Sequence, residues 1–193
     1  MPEESPLIAP ADLAAHTGDA DWCILDCRFA LNDPERGRRD YAISHIPNAL
    51  YAHLDDDLSG RVTVGTTGRH PLPAPEAFGA TLSGWGIDAA VNVVAYDDGD
   101  SSIAARPWWM LRWMGHRKVS VLDGGWAAWI AMGGSVTAEP GRRPPRSYRV
   151  RPEPDMLSSC ADVEAIRGRS GCLLIDSRSA ERFRGDAEPI DPV

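Results

Sequence analysis

One stretch of this chain occurs twice. Residues 11–28 and 161–178 align without a gap. Six of the eighteen positions are identical (Ala11/Ala161, Asp12/Asp162, Ala15/Ala165, Gly18/Gly168, Asp26/Asp176 and Arg28/Arg178), and three more exchange one aliphatic residue for another. Self-similarity at a fixed offset is the mark of a structural unit used more than once. The first copy runs for about 150 residues before the second opens. The second, from Ala161 to Val193, has 33 residues. The expectation is one whole domain followed by the opening of another, with whatever chemistry sits late in the second copy falling outside this chain.

Within the first unit, apolar runs alternate with helix-like segments. Trp22–Asp26, Val91–Tyr96 and Val119–Leu122 are short, apolar on both faces and β-rich, which predicts buried strands, and Ala49–Ala52 suits a brief one. Pro10–Thr17, Pro75–Trp85, Ile103–Met114 and Trp126–Met132 read as helices, most of them closed by glycine and two of them opened by proline. Phe29–Tyr41 and Asp55–Pro75 read as irregular loops. Strands alternating with helices predict an α/β fold, a mostly parallel central sheet with helices on both faces. In the second copy, Ala161–Arg167 and Cys172–Asp176 restart the pattern as a helix and a strand.

Charge separates the two parts. Residues 1–139 carry a balance of −9, and residues 140–193 a balance of +1. An acidic first domain argues against nucleic acid as a partner, because phosphate needs a basic face. No apolar stretch approaches the length of a membrane span, and the acidic N-terminus does not resemble a signal peptide. The four cysteines show no C-x-x-C spacing, so reduced thiols in a cytoplasmic setting are expected. The expected division is 8–139 for the first domain, 140–157 for a proline- and arginine-rich linker with mostly solvated arginines, and 158–193 for the second fragment.

Ligands in open parallel α/β sheets bind at the carboxyl ends of strands. That places the candidate site at Tyr96–Ile103, a turn whose amides converge on one spot. A cysteine opening such a turn would ionise easily and act as a nucleophile. Here the turn reads D-D-G-D-S-S, with Asp97, Asp98 and Asp100, and Asp97 cannot carry sulfur.

The strings V-V-A-Y-D-D-G-D-S-S-I-A-A-R-P-W-W-M-L-R-W-M-G-H and V-L-D-G-G-W-A-A-W resemble the first domain of tandem rhodanese sulfurtransferases. So do H-I-P-N-A at His45–Ala49 and G-R-H-P-L-P at Gly68–Pro73. In the second copy, I-D-S-R at Ile175–Arg178 and E-R-F-R-G at Glu181–Gly185 resemble the start of the catalytic domain. The resemblance implies a non-catalytic rhodanese-like domain, with Asp97 in the cysteine position, followed by an incomplete catalytic one. It implies sulfane sulfur transfer from thiosulfate or 3-mercaptopyruvate to a thiophilic acceptor such as cyanide, through a cysteine persulfide whose loop is missing here. It assigns Arg182 to the anionic donor, and no cofactor or metal. Mercaptopyruvate enzymes tend to carry a second arginine downstream; Glu188–Asp191 offers none, which tilts the donor towards thiosulfate.

Plainer readings stand beside these. Arg182 as a solvated surface residue is one. Cys23 and Cys27 suit buried thiols better than a zinc site, His45 a structural hydrogen-bonder, and Asp26/Arg28 a structural ion pair. Trp108, Trp109 and Trp113 suit core and domain contacts. A phosphatase would need C-x5-R, and the arginine that follows the turn is Arg106, with no cysteine. The alternative function is a short, non-catalytic binding or regulatory module.

Overall fold

The computed structural model describes residues 5–189, and Ile190 and Asp191 of the donor argument lie outside them. The chain divides into two compact units, Met1–Pro154 and Asp155–Val193.

The first unit is built on a five-stranded sheet. In chain order the strands are β1 (Leu7–Ile8), β2 (Trp22–Asp26), β3 (Leu50–Tyr51), β4 (Asn92–Tyr96) and β5 (Val119–Leu122). Their order across the sheet is β1-β5-β4-β2-β3, and every pairing is parallel. Trp22–Asp26 lies opposite Asn92–Tyr96 residue for residue. Both strands are buried over four consecutive positions, Cys23–Asp26 and Val93–Tyr96, so both faces are covered, as the unbroken apolar runs require.

Five helices flank the sheet: α1 (Pro10–Ala14), α2 (Arg36–Ile43), α3 (Pro75–Gly84), α4 (Ala105–Trp113) and α5 (Gly125–Ala131). One core cluster joins Leu13 of α1, Ile24 of β2, Tyr41 of α2, Val94 and Tyr96 of β4, Leu122 of β5 and Trp129 of α5. This is the predicted α/β architecture. Three details differ from the sequence reading. The first helix stops at Ala14, and 15–18 form turns. Leu7–Ile8, too short to show a period, adds an edge strand. Much of the expected 29–41 loop is helical, since α2 covers 36–43. That helix is polar on its outer turns and spends only Gly37 and Tyr41 on the core, four residues apart, which is too sparse a stripe to read as periodic.

The expected linker also differs. Residues 140–154 run as an extended strap along the first unit, alternating inward Tyr148 and Val150 with outward Arg149 and Arg151. Val150 packs where a Cβ on Gly79 would collide with it. The Tyr148 amide donates to Ser83 Oγ at 3.0 Å, and the Glu153 amide to the Trp113 carbonyl at 2.7 Å. Arg143, read as solvated, donates to the carbonyls of Trp22, Ala20 and Gly86, and Arg146 pairs with Asp88 at 3.1 Å.

The second unit holds α6 (Cys160–Ile166) and α7 (Ala180–Arg184). A capping box opens α6: the Asp162 amide donates to Ser159 Oγ, and the Asp162 carboxylate accepts from the Ser159 amide at 2.8 Å. Residues 172–176, expected as a strand, form none. A strand exists only as one side of a ladder, and Leu173, Leu174 and Ile175 stay largely exposed.

Candidate functional site

At the carboxyl edge of the sheet, β4 ends at Tyr96 and the chain turns through 97–104 into α4. Asp97 is buried and fills the turn with its own carboxylate. Oδ1 accepts from the amides of Gly99 at 3.0 Å and Ser101 at 3.1 Å, and Oδ2 from those of Ile103 at 3.0 Å and Ala104 at 2.9 Å. Ser101 adopts φ +68, the left-handed conformation that helps bring successive amides to one side. A cradle able to hold an external anion is thus occupied from within. The other two carboxylates are also engaged: Asp98 pairs with Arg36 of α2, and Asp100 accepts from the Ser102 amide at 3.1 Å.

The Asp97 carbonyl accepts the Trp126 amide at 2.8 Å. A Cβ at Gly125 would lie 2.4 Å from that oxygen, so only glycine lets α5 start this close to the turn. Arg106, the arginine after the turn, does not face it as a phosphatase arginine would. It binds the carbonyls of Leu58, His70 and Pro71 at 2.9–3.1 Å and anchors the long 55–75 segment.

Beside the turn lies a buried brace. The Arg28 amide and guanidinium donate four hydrogen bonds to the Asp26 carboxylate, the shortest 2.6 Å, and a fifth reaches the Ser44 carbonyl at 2.7 Å. The Tyr96 hydroxyl donates to Asp26 Oδ2 at 2.6 Å, and the guanidinium lies 4.5 Å over the Trp126 ring. Burial opposes the arginine's charge, but Asp26 outweighs it and holds Arg28 above its ordinary pKa. Burial, followed by Asp26, pushes the Tyr96 phenol well up. Arg28 stays charged and Tyr96 neutral, and the arrangement is structural. His45 is likewise engaged on both sides, Nδ1 with the Tyr41 carbonyl at 2.6 Å and Nε2 with Glu139 O at 2.9 Å.

Cys27, beside this edge, is buried; burial first, then Asp26, Asp97 and Asp57, push its thiol well up. Burial raises Cys23 to about 12. Neither forms a thiolate at neutral pH. Cys160 and Cys172 are exposed, outside any strand-to-helix turn. Of the tryptophans, Trp113 is buried and stacks on Trp109 at 5.8 Å.

In the second unit the brace recurs. Arg178 donates to Asp176 through the same four donor–acceptor pairs at 2.7–3.1 Å. Arg182, on α7, grips Glu188 bidentately, Nη2 to Oε1 at 2.8 Å and Nε to Oε2 at 3.2 Å. Arg182 and Glu188 are each about four-fifths buried, so Arg182 is not the freely solvated residue of the plainer reading. Among the described residues, no group of three or more acidic, histidine or cysteine side chains could hold a metal, and no helix is long and apolar enough to cross a membrane.

A parallel sheet in this order, with a cradle-forming turn after the central strand, defines an open α/β fold whose candidate site lies at the carboxyl edge of the sheet. Residues 9–132 match the rhodanese-like domain, and the chain belongs to the rhodanese family. It is 45% identical over 188 residues to a probable 3-mercaptopyruvate sulfurtransferase of Pseudomonas aeruginosa, covering 97% of this chain and 66% of that protein. It is 31% identical to the thiosulfate sulfurtransferase of Rattus norvegicus, over 88% of this chain and 57% of the relative. Among solved structures, SseA from Escherichia coli, described as a 3-mercaptopyruvate sulfotransferase, superposes with a TM-score of 0.82 at 28% identity, covering 97% of this chain and 71% of that one. The chain thus spans about two thirds or less of the curated relatives it matches.

Proposed function

We propose that this chain belongs to a sulfurtransferase that moves sulfane sulfur from thiosulfate or 3-mercaptopyruvate to a thiophilic acceptor such as cyanide. A cysteine thiolate attacks the outer sulfur of thiosulfate, the S–S bond breaks and sulfite leaves. Cyanide then takes the outer sulfur of the persulfide as thiocyanate and restores the thiolate. None of the four cysteines here suits the role, on the burial and placement just described, so the first unit is non-catalytic and the persulfide loop belongs to the part of the relatives that this chain does not span.

The observation that carries the reading is Arg182 gripping a carboxylate. A planar fork on two oxygens is the geometry that a carboxylate or thiosulfate donor needs, and Glu188 occupies it as an internal stand-in. The family membership and the names of its relatives support the same chemistry, and both donors remain in the proposal.

The test is thiocyanate production from thiosulfate and cyanide, and from 3-mercaptopyruvate and cyanide. The 193-residue chain should not exceed the rate without enzyme. The protein purified from its source cells should, and Arg182→Ala in it should raise KM for the donor about tenfold or more through loss of a charge-assisted pair. Turnover by the 193-residue chain alone would overturn the assignment of the persulfide to another segment. An inactive native protein would overturn the sulfurtransferase reading.

A further inference from the structure

At the opposite edge of the first unit, away from the carboxyl ends of the strands, lies a cleft of about 610 Å³. Its walls are the turn before β4 (Asp88–Ala90), the turn between α4 and β5 (Met114–Lys118) and the strap from Ser147 to Arg151. Arg117, Lys118, Arg149 and Arg151 all line it. Asp88 is the one carboxylate in the lining; a hydrogen bond from the Ala90 amide and the charge of Arg146 hold it below the usual carboxylate range, and it is spent on Arg146. Glu153, beyond the strap's end, is spent on Arg117 at 2.8 Å. The Lys118 ammonium reaches the Ala90 carbonyl at 3.2 Å, which leaves its charge uncompensated. For Arg149 and Arg151 the structure gives no hydrogen bond or ion pair among the described residues.

Cations scattered on a surface would mean little. These are fixed in place. The strap is tied on both sides of Arg149 and Arg151, by Tyr148 to Ser83 and by Glu153 to Trp113, with Val150 seated against Gly79 between them. In extended backbone, residues two apart project to the same side, so Arg149 and Arg151 present their charges together. Gly115, at φ +82, comes close enough that a Cβ would lie 3.0 Å from the Arg151 carbonyl, which sets the two walls in contact. A second observation is independent of the cations. His116 lines the same cleft at 3% exposure; its Nε2 lies 3.2 Å from the Lys118 carbonyl and the Val91 backbone also bonds its ring, so the imidazole is a fixed part of the cleft wall.

We propose that this cleft is a binding site for a small anion of two or more charges, of the phosphate or carboxylate class, distinct from the sulfur-donor position at Arg182. Arg149 and Arg151 hold the anion, and Lys118 adds to the field. The site requires no turnover and stands whether or not the sulfurtransferase reading does.

The experiment is a titration of the 193-residue chain, at low ionic strength, with inorganic pyrophosphate, citrate and thiosulfate, followed by backbone amide resonances of residues 114–118 and 147–151 and by the His116 ring nitrogens. Expected are saturable shifts confined to those residues with pyrophosphate or citrate, the stronger of the two identifying the ligand class, and reversal on adding salt. The double variant Arg149→Ala/Arg151→Ala, whose side chains are exposed and leave folding intact, should weaken binding about tenfold or more. Arg142→Ala, outside the cleft, should not weaken it. Absence of saturable shifts, or equal weakening by both variants, would overturn the site in favour of diffuse charge attraction. Shifts with thiosulfate alone would also overturn it, by making the cleft an accessory donor position.

Discussion

The first and second units carry one brace in two settings. Asp26–Arg28 and Asp176–Arg178 use the same four donor–acceptor pairs, and no bond differs between them by more than about 0.2 Å on the scale of ordinary hydrogen-bond scatter. Everything around them differs. The side chains of Arg28 and Asp26 are 5% and 0% exposed, and those of Arg178 and Asp176 44% and 34%. The first brace is closed by Tyr96, Ser44 and Trp126; the second has the Phe183 ring 5.9 Å away. The brace follows the D-x-R spacing and forms at both places where this chain has it, buried or exposed. The strand leading into it is not local: Trp22–Asp26 pairs on both sides, while 172–176 forms no strand pairing among the described residues.

This contrast is broken most sharply by removing the acid from each brace. Asp26→Ala leaves the buried Arg28 charge and the Tyr96 hydroxyl without their acceptor, a loss of about 3–5 kcal/mol of stability. That corresponds to a fall in Tm of about ten degrees or more for a chain of this size. Asp176→Ala should leave Tm unchanged. Calorimetry on the two variants decides it, and equal losses would show that burial does not separate the braces.

The turn at 97 offers the next largest effect. Asp97→Ala removes the acceptor of four amides at once. Water can replace part of it, and a loss of about 2 kcal/mol is expected by thermal unfolding. Asp97→Cys should do more than destabilise. A thiol set among those amides ionises easily and should be alkylated faster than Cys160. A slower reaction would show that the cradle no longer forms around sulfur.

Much of this was legible in the residues. The runs W-C-I-L-D, V-N-V-V-A-Y and V-S-V-L carry their burial in their composition, and the sheet follows. The aspartate capping its own turn could be read from D-D-G-D-S-S. What escaped depends on contacts distant in sequence. The helix at 36–43 is stabilised by Gly37 lying against the Arg28 carbonyl and Tyr41 reaching Ala49 O. The strap looked like a linker because prolines and arginines suit solvent. Its hold on the domain comes from Ser83, Gly79 and Trp113, which no local pattern points to. The alternation of Tyr148, Arg149, Val150 and Arg151 was the available signal. At 172–176 the reverse holds: the residues suit a strand, and no strand lies beside them among the described residues.

Cysteine reactivity sharpens the comparison without altering the fold. Cys23 and Cys27 lie in or beside β2, buried, with thiols raised to about 12 and well above the usual range. Cys160 and Cys172 are exposed. Iodoacetamide at mildly alkaline pH should add two groups to the native chain, both in the second unit, and four after denaturation, as read by mass spectrometry. A third adduct under native conditions would show that the first unit opens at β2.

The smallest effect is the acid titration of the second brace. Hydrogen bonds from the Arg178 side chain, then from its amide, lower Asp176 to about 2, against an ordinary aspartate value of about 3.9. The sign follows from that depression. Whatever order the brace gives residues 176–178 is fully present above the ordinary value and is lost as pH falls through about 2. Because the pair is solvent-exposed, the loss is local and should not register in global unfolding. The carboxyl carbon resonance of Asp176 should therefore titrate well below those of unpaired aspartates, with the Arg178 Nε resonance moving in step. An Asp176 midpoint at the ordinary value would show that spacing alone does not hold this brace, and that the first unit's version owes its geometry to burial after all.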